Sequence, residues 1–548
     1  MNSSKAAKPT QPKQIRCCNR GLKAIQVATA SSILLVLVLW VGLFQFILPF
    51  IYNEDNLGTG EHYVSAVEQL TFREIHGLES ASVNNSIASH STPFQSMNAT
   101  QQATYMDSIL AALASDARQI LNVKKLESAV CDSTPDSIAL FLNHRYNMLL
   151  PSASYQSRHP TNAPNNSTGS YFVDHQRYFV ALNFHNSQKV LPTIFRELLK
   201  LADFLGPDRI FISIFENGST DQTKKLLQLF QTLLDHLNIP SSIILSDEKS
   251  DYEHMNRIEV LAEYRNRALE PMFTQKLYYN HVIFINDVFH CLDDTLELMY
   301  QTHVQQADMT CGFDYWIRPD KFYDTWVART LSGNMVREYF YQGSFAYDPA
   351  SRSRYELGLP ISAFSCWNGM TVLNSDPFYK HNVRFRRSDV DQGECSASEC
   401  QLLAKDFWTN GFGKVLMVPQ VRVVYDLWLH ASVRAKRFEL IQIGQNLGNN
   451  PKYMDLDGTA NARRKRISLK MGLNEFGGRS LDLKWWNRMM WLGWTHEPAW
   501  VAGQVSEEVV WNYPGPEKVI CFGLDGVNNP NADWENPVFE TVEYKVGL

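Results

Sequence analysis

The chain has 548 residues, which is more than one domain of ordinary size contains, so the length predicts one large domain or two medium ones. Its hydrophobic content of 45% is typical of a globular protein, and its net charge of −6 excludes attraction to nucleic acid by overall charge. Phosphorylated substrates would therefore have to be held by local arginines, lysines or a metal ion.

The first predicted element is a membrane anchor. Residues 24–53 contain no charged side chain, and a helix of roughly 20 apolar residues is long enough to span a bilayer. Basic residues precede this segment and acidic residues follow it, so the positive-inside rule places the tail, residues 1–23, in the cytosol and the remainder in the lumen. The apolar run is longer than that of a signal peptide. A buried core helix is the alternative.

Residues 54–173 are predicted to form a lumenal stem. Polar stretches rich in Ser, Asn and Thr flank a middle part, 104–128, whose apolar residues have helical spacing. Seven of the nine cysteines lie on the lumenal side, where disulfides form, and their odd number leaves at least one thiol unpaired or bonded to another chain. The predicted N-glycosylation sites are Asn84, Asn98, Asn165 and Asn166.

Strands and helices alternate between residues 174 and 430. Short apolar runs such as 178–184, 210–216 and 241–246 predict strands, and amphipathic segments between them predict helices. This alternation predicts an α/β fold with a mainly parallel sheet covered by helices, in which ligands bind beyond the carboxyl ends of the strands. Asn217, Asp287 and Asp314 are predicted to lie at such ends. Residues 431–548 lack the alternation. This Trp-rich extension is predicted to pack on the α/β domain, although its indole rings could instead line a sugar platform.

Seven motifs in this region form an ordered set: FENGSTDQT, EYRNRAL, FINDVFHC, FYDTWVARTLSG, SCWNGMTVLN, SECQLLAKDFW and KVLMVPQVRVVYD. Together they resemble the fungal capsule-associated mannosyltransferase family. The characterised members of that family are type II membrane α-1,3-mannosyltransferases that use GDP-mannose. The resemblance implies a GT-A-like nucleotide-diphospho-sugar transferase fold over residues 174–430, preceded by the transmembrane helix and the stem.

The stretch HVIFINDVFHCLDD ends an apolar strand at Asn286 and Asp287. Many sugar-nucleotide enzymes have Asp-x-Asp at this point, whereas this chain has a single carboxylate. Mn²⁺ and Mg²⁺ need few protein ligands when substrate phosphates and waters complete the octahedron. We therefore predict that Asp287 binds the metal and that Asn286 holds the ribose or a metal-bound water. His290 and His430 are weaker metal candidates, and a helix-capping role for Asp287 is the alternative.

Three arginines in RIEVLAEYRNRAL suggest a site for the donor diphosphate. Guanidinium groups bind phosphate oxygens in a bidentate manner, so we predict that Arg257 and Arg265 contact the donor. Asn266, which is adjacent to Arg265, is predicted to contact the donor as well. Exposed helix arginines are the alternative. In FENGSTDQT, Glu216 and Asn217 are predicted to face the nucleotide. The alternative is a structural turn in which Asp221 caps the next helix.

Two further motifs interleave Trp with polar residues, and we predict that they contact the sugar or the acceptor. These residues are Asp324, Trp326, Arg329, Trp367, Asn368 and Gly369. The family also implies a carboxylate that reaches the donor sugar. Glu399 fits best, and an ordinary surface acid is the alternative.

The combined prediction is a type II glycosyltransferase of the Golgi or another secretory-pathway membrane. It would transfer mannose from GDP-mannose to a mannose-containing glycan, in α-1,3 linkage and with retention of configuration. Asp287 with a divalent metal and Arg265 would neutralise the leaving diphosphate, while Glu399 would orient the sugar. The alternatives are a transferase for UDP-xylose or UDP-glucuronic acid, a catalytically decayed lumenal glycan-binding protein, and a glycosidase.

Overall fold

The computed structural model describes residues 99–126, 130–151, 176–247, 256–319, 321–331, 333–336, 338–339, 343–344, 349–445, 515–521 and 538–544. Within these ranges, no helix is both long enough and apolar enough to cross a membrane. The predicted anchor, residues 24–53, and the four predicted glycosylation sites lie outside the described residues.

The strands within the described ranges are β1 (Tyr178–Phe184), β2 (Ile210–Asn217), β3 (Ser241–Ser246), β4 (His281–Ile285), β5 (Met309–Tyr315), β6 (Arg329–Thr330), β7 (Glu338–Tyr339), β8 (Gly343–Ser344), β9 (Ile361–Ser365), β10 (Met370–Asn374), β11 (Val415–Val424), β12 (Lys518–Cys521) and β13 (Val538–Thr541). Every residue of β2, β5 and β11 is buried. Such continuous apolar runs are typical of strands covered on both faces.

The α-helices of the same ranges are α1 (Ala99–Leu121), α2 (Asp136–Tyr146), α3 (Leu191–Leu205), α4 (Thr223–His236), α5 (Arg257–Thr274), α6 (Leu292–Val304), α7 (Pro349–Glu356), α8 (Asp376–Lys380), α9 (Glu399–Thr409) and α10 (Leu427–Gln445). Helix α10 runs through residue 430, where the sequence pattern placed the end of the catalytic domain.

One sheet contains nine of these strands, in the order β3-β2-β1-β4-β10-β5-β11-β9-β6. The first four are mutually parallel. Strand β10 runs antiparallel to both β4 and β5, so β5 and its parallel neighbour β11 point the same way as β4. Strand β9 is antiparallel to β11 and β6. Seven of the nine strands therefore share one direction, which confirms the predicted α/β class with a mostly parallel sheet.

The two helices that precede the sheet belong to its hydrophobic core. Apolar side chains of α1 and α2, such as Ile109 and Leu142, are buried in the same core cluster as the strands. Arg145 at the end of α2 donates to both carboxylate oxygens of Glu297 on α6, each at 2.8 Å. The helical part of the predicted stem is thus packed against the α/β domain.

Three disulfides cross-link the described residues. Cys131–Cys291 ties the segment before α2 to the start of α6, Cys311–Cys366 links β5 to the residue after β9, and Cys395–Cys521 holds β12. Cys400 remains a buried free thiol. The C-terminal strands β12 and β13 pair with each other, and the Ile520 amide donates to the Gly333 carbonyl at 2.9 Å. This part of the extension therefore packs on the domain.

Candidate active site

Polar side chains from several strands meet at one edge of the sheet. Strand β4 is followed by Asn286 and Asp287, β5 carries Asp314 at its last but one position, and β11 is followed by Tyr425. Because β10 runs in the opposite direction, the residue before its first strand position, Gly369, lies at the same edge. This edge is the carboxyl end of the parallel strands, where α/β sheets bind ligands.

Asn286 organises two neighbouring side chains. Its amide oxygen accepts hydrogen bonds from the Trp367 indole N–H at 3.0 Å and from Arg265 Nη1 at 3.3 Å. Its backbone N–H donates to the Gly369 carbonyl at 2.9 Å. Asn286 therefore positions an arginine and a tryptophan next to Asp287.

Asp287 presents a solvent-exposed carboxylate. Partial desolvation by the surrounding protein raises its pKa, and the positive charge of Arg265 opposes this rise. The next helix, α6, begins only at Leu292, and there the Cys291 amide donates to the Asp294 carboxylate at 2.8 Å. The alternative that Asp287 caps this helix is therefore wrong, because Asp294 performs that role.

Arg265 is held from several sides. Its Nε donates to Glu399 Oε1 at 2.9 Å, and the two side chains are only 13% and 3% exposed. The guanidinium carbon lies 4.6 Å from the centroid of the Trp367 ring and 5.1 Å from that of Phe284, distances typical of cation–π contacts. The bond to Glu399 and the aromatic contacts fix the orientation of the guanidinium.

A carboxylate cluster lies at this edge of the sheet. We use that name for Asp287, Asp314, Asp324 and Glu399. Asp314 is fully buried and accepts hydrogen bonds from the Tyr425 hydroxyl at 3.0 Å and from the Asp324 amide at 3.1 Å. Burial, followed by the charge of Asp324, raises the pKa of Asp314 well above its ordinary value. Burial raises the pKa of Asp324 to about 6, and the negative charge of Glu399 adds to this rise.

The turn after β2 is packed into the protein. Glu216 is fully buried and accepts the Ser219 amide. The Asn217 side-chain oxygen accepts from Asn183 Nδ2 at 3.3 Å, while its carbonyl pairs with the His185 ring at 2.8 Å. Asp221 accepts the amide of Thr223, the first residue of α4, at 2.9 Å. The predicted turn is present, but the N-cap position of α4 is Gln222, so Asp221 contacts the first helical amide from outside the cap position.

Other predicted binding residues have internal partners. Asn266 clamps the backbone of Phe385, donating to its carbonyl at 2.8 Å and accepting its amide at 3.0 Å. Arg329 is fully buried and donates from Nη1 to the carbonyls of Thr325 and Ala328. Burial lowers the pKa of Arg329 to about 9. The structure therefore places Arg329 in the interior and Asn266 in a backbone clamp.

The motif SCWNGM contributes both packing and polar contacts. The backbone N–H of Asn368 donates to the Asp324 carboxylate at 3.0 Å, and the Asn368 side chain is fully buried. Gly369 has a φ of +82°, and a Cβ there would lie 2.9 Å from Val423 Cγ2. Backbone conformation and packing thus both favour glycine at this position. Two predicted residues reach solvent, since Trp326 is 43% exposed and Arg257 is exposed at the start of α5.

The two weaker metal candidates lie in the interior. His290 and His430 are both buried, and burial followed by the charge of Arg434 lowers the pKa of His430 to about 3. His430 Nε2 is 3.8 Å from the Cys291 sulfur, and together with Asp294 these residues form a compact group of potential ligands. That group does not suit a metal, because the sulfur is bonded to Cys131.

Asp294 is also unsuited to that role, since its carboxylate is paired with Arg437. Asp287, in contrast, offers an exposed carboxylate, and hard oxygen donors of this kind suit Mn²⁺ and Mg²⁺. The donor chemistry of the cluster therefore fits a divalent ion at Asp287.

Asp314 was predicted only to lie at a strand end, and two tyrosines of this edge were not predicted at all. Tyr425 and Tyr323 lie against each other, and Asp314 bonds Tyr425. The position of Asp314 at a strand end was the sequence signal available for it. The tyrosines carried no comparable signal, because their proximity depends on the return of the chain after β5.

Comparison with known proteins finds similarity over the part of the chain that carries most of this edge. Residues 177–406 match the family model described as Cryptococcal mannosyltransferase 1. This segment is therefore similar to that mannosyltransferase family. A relative from Cryptococcus neoformans var. neoformans serotype D, alpha-1,3-mannosyltransferase CMT1, is 39% identical over 272 residues. The match covers 46% of this chain and 58% of the relative, so the chain spans less than two thirds of the relative's length.

Two solved structures are more distant in sequence. TarS 1-349 of S. aureus in complex with UDP-GlcNAc is 14% identical, with a TM-score of 0.29 and coverage of 56% of this chain and 78% of that chain. The mannosyltransferase PcManGT of Pyrobaculum calidifontis in complex with GDP-Man and Mn²⁺ is 12% identical, with a TM-score of 0.29 and coverage of 62% and 94%. TM-scores of this size support no assignment of fold or donor.

Proposed function

We propose that this protein is a glycosyltransferase that transfers mannose from GDP-mannose to a mannose-containing glycan, in α-1,3 linkage with retention of configuration. The family of residues 177–406 and the activity named for the CMT1 relative support the mannosyl transfer. The observation that carries the proposal is the exposed Asp287 carboxylate beside Arg265 at the carboxyl edge of the sheet.

The arrangement suits a GT-A-like enzyme, in which one half of the sheet binds the nucleotide of the donor. The parallel strands β3-β2-β1-β4 form the half of the sheet that we assign to the nucleotide, and Asp287 follows β4, the last of them. Asp287 would hold a divalent Mn²⁺ or Mg²⁺ ion, whose charge would offset that of the departing diphosphate. Arg265 adds a positive charge, and its hydrogen bonds to Asn286 and Glu399 fix the orientation of the guanidinium group. With retention, the leaving phosphate can accept the acceptor proton, so a separate general base is not required.

The donor can be identified by thermal stability. With Mn²⁺ present, GDP-mannose at one hundred times its Kd should stabilise the protein by about 2.7 kcal/mol, because it binds only the folded state. UDP-xylose and UDP-glucuronic acid serve as matched controls that carry the other base. A rise in Tm with either UDP-sugar and none with GDP-mannose would show that the mannosyltransferase assignment is wrong.

Hydrolysis separates the remaining alternatives. A transferase should slowly release free mannose from GDP-mannose when no acceptor is present. A decayed glycan-binding protein would bind glycans without hydrolysing any sugar nucleotide, and a glycosidase would cleave an α-mannoside in the absence of nucleotide. The same preparation can be assayed for all three activities.

We also propose a type II orientation in a Golgi or other secretory-pathway membrane. The uncharged segment 24–53 and its basic flank support this topology, as do the sequons at Asn84, Asn98, Asn165 and Asn166. Endoglycosidase treatment of the protein from fungal membranes should increase its mobility on a gel. Unchanged mobility, together with cleavage of the region after residue 55 by protease added from the cytosolic side, would contradict this topology.

A further inference from the structure

We infer that Trp316, Tyr323 and Tyr425 form a platform on which sugar rings of the acceptor glycan stack. We call these three residues the aromatic platform. The inference rests on the proposed transfer reaction and adds to it the place where the acceptor binds.

The three rings form a continuous row. Trp316 and Tyr323 lie edge to face with their centroids 5.4 Å apart, and Tyr323 and Tyr425 do the same at 5.0 Å. The chain turns back after β5 to make this row, because the Trp316 amide donates to the Lys321 carbonyl at 3.2 Å and the Tyr323 amide donates to the Asp314 carbonyl at 3.0 Å. Backbone hydrogen bonds therefore fix the platform to the end of β5.

The outer rings of the platform face solvent. Trp316 is 43% exposed and Tyr323 is 46% exposed, whereas large aromatic side chains more often bury most of their surface. Ile317, next to Trp316, is also exposed and has a φ of +69°, a conformation that is a genuine outlier for a β-branched residue. Such strain persists where the surrounding structure requires it, which is commonly at a ligand site.

The inner end of the row joins the carboxylate cluster. The Tyr425 hydroxyl donates to Asp314 at 3.0 Å. Burial raises the pKa of Tyr323, and the charges of Asp314, Asp324 and Asp287 raise it further. Two cations lie nearby: Arg257 lowers the pKa of Tyr323, and the Lys321 ammonium is 5.8 Å from the Trp316 ring centroid. The platform therefore adjoins carboxyl groups of the cluster, which can accept hydrogen bonds from hydroxyl groups.

A neutral glycan matches both features of this surface. The C–H face of a pyranose is apolar and packs on an aromatic ring, while its hydroxyls can donate to carboxylates. The strand order also separates the platform from the donor half. Strands β5 and β11, which carry the platform, lie on the opposite side of β4 and Asp287 from β1 and β2. An acceptor on the platform would therefore extend away from the nucleotide toward solvent.

The test compares kinetic constants for donor and acceptor in the full-length protein. Trp316→Ala and Tyr323→Ala should each raise the KM for an α-mannotriose acceptor by about tenfold, since each removes a stacking surface. In Trp316→Ala, whose ring lies at the outer end of the row, the KM for GDP-mannose and the acceptor-independent hydrolysis of GDP-mannose should stay unchanged. Tyr278→Ala is the matched control, because Tyr278 is an exposed aromatic residue just before β4, at the opposite edge of the sheet.

Each outcome has a distinct meaning. Wild-type protein that neither hydrolyses GDP-mannose nor transfers mannose would overturn the proposed function itself. Active wild-type protein with unchanged acceptor KM in both variants would overturn the platform, as would a rise confined to the KM for GDP-mannose. If Trp316→Ala fails to fold, Trp316→Leu retains apolar volume without a flat ring and should show the same rise in acceptor KM. Tyr323→Phe keeps the ring and should stay near the wild-type value.

Discussion

Asp287→Asn should lower turnover by several orders of magnitude while the protein remains folded. The substitution keeps the shape of the side chain and removes the charge that would hold a divalent ion. Metal stabilisation of a leaving group is worth several kcal/mol, and each ~1.4 kcal/mol corresponds to a factor of ten in rate. Because the side chain is exposed and does not cap α6, the free energy of unfolding should change little. The measurement is kcat as a function of Mn²⁺ concentration, together with Tm.

Two matched variants make this result specific. Asp208→Asn makes the same change of charge at an exposed carboxylate before β2, at the other edge of the sheet, and should leave turnover unchanged. Asn286→Asp keeps an acceptor for Trp367 and Arg265 and adds a second carboxylate, so metal binding should persist or tighten. A fully active Asp287→Asn enzyme would show that Asp287 is not the metal ligand.

The sheet was predictable because its strands are short apolar runs bounded by polar turns. The predicted runs 178–184 and 241–246 coincide with β1 and β3. Burial on both faces leaves β1 almost entirely apolar, so the pattern survives in the sequence. Strand β3 lies at the edge of the sheet and is only partly buried, so its signal was the apolar centre of the run alone. The reversed direction of β9 and β10 left no local signal, since direction depends on how the chain returns to the sheet. The positions of Asp287 and Asp314 at strand ends followed from the same pattern.

The partners of the site residues could not be predicted, because they are long-range contacts. The hydrogen bonds of the site join residues from four separate motifs. Only the fold shows that Arg265 bonds to Asn286 and Glu399, and that Trp367 bonds to Asn286. Arg329 illustrates the opposite case. Its sequence context resembles that of a binding residue, yet it is fully buried and donates to backbone carbonyls. The local sequence shows that this residue is an arginine, but it does not show that the fold buries its side chain.

Arg265→Met should abolish most activity and also destabilise the fold. Removing one partner of a buried ion pair leaves the other charge without compensation, a loss of about 3 kcal/mol in the free energy of unfolding. The pair qualifies as buried, since Glu399 is 3% exposed and Arg265 is 13% exposed. Lower activity alone would therefore be ambiguous, because a misplaced Glu399 could also disturb the site. Denaturant unfolding and kcat/KM for GDP-mannose must be measured on the same variant.

The double variant Arg265→Met with Glu399→Gln resolves this ambiguity. The Glu399→Gln substitution removes the uncompensated charge, so the double variant should regain much of the stability that Arg265→Met loses. Its activity should not recover if the guanidinium offsets the charge of the leaving diphosphate, because that positive charge is still missing. Recovery of both quantities would instead mean that Arg265 serves only to balance Glu399. Glu399→Gln alone keeps an acceptor for Arg265 Nε. It should therefore stay within about tenfold of wild-type activity if Glu399 acts only by positioning the arginine, and should lose far more if its carboxylate supports the sugar in the transition state.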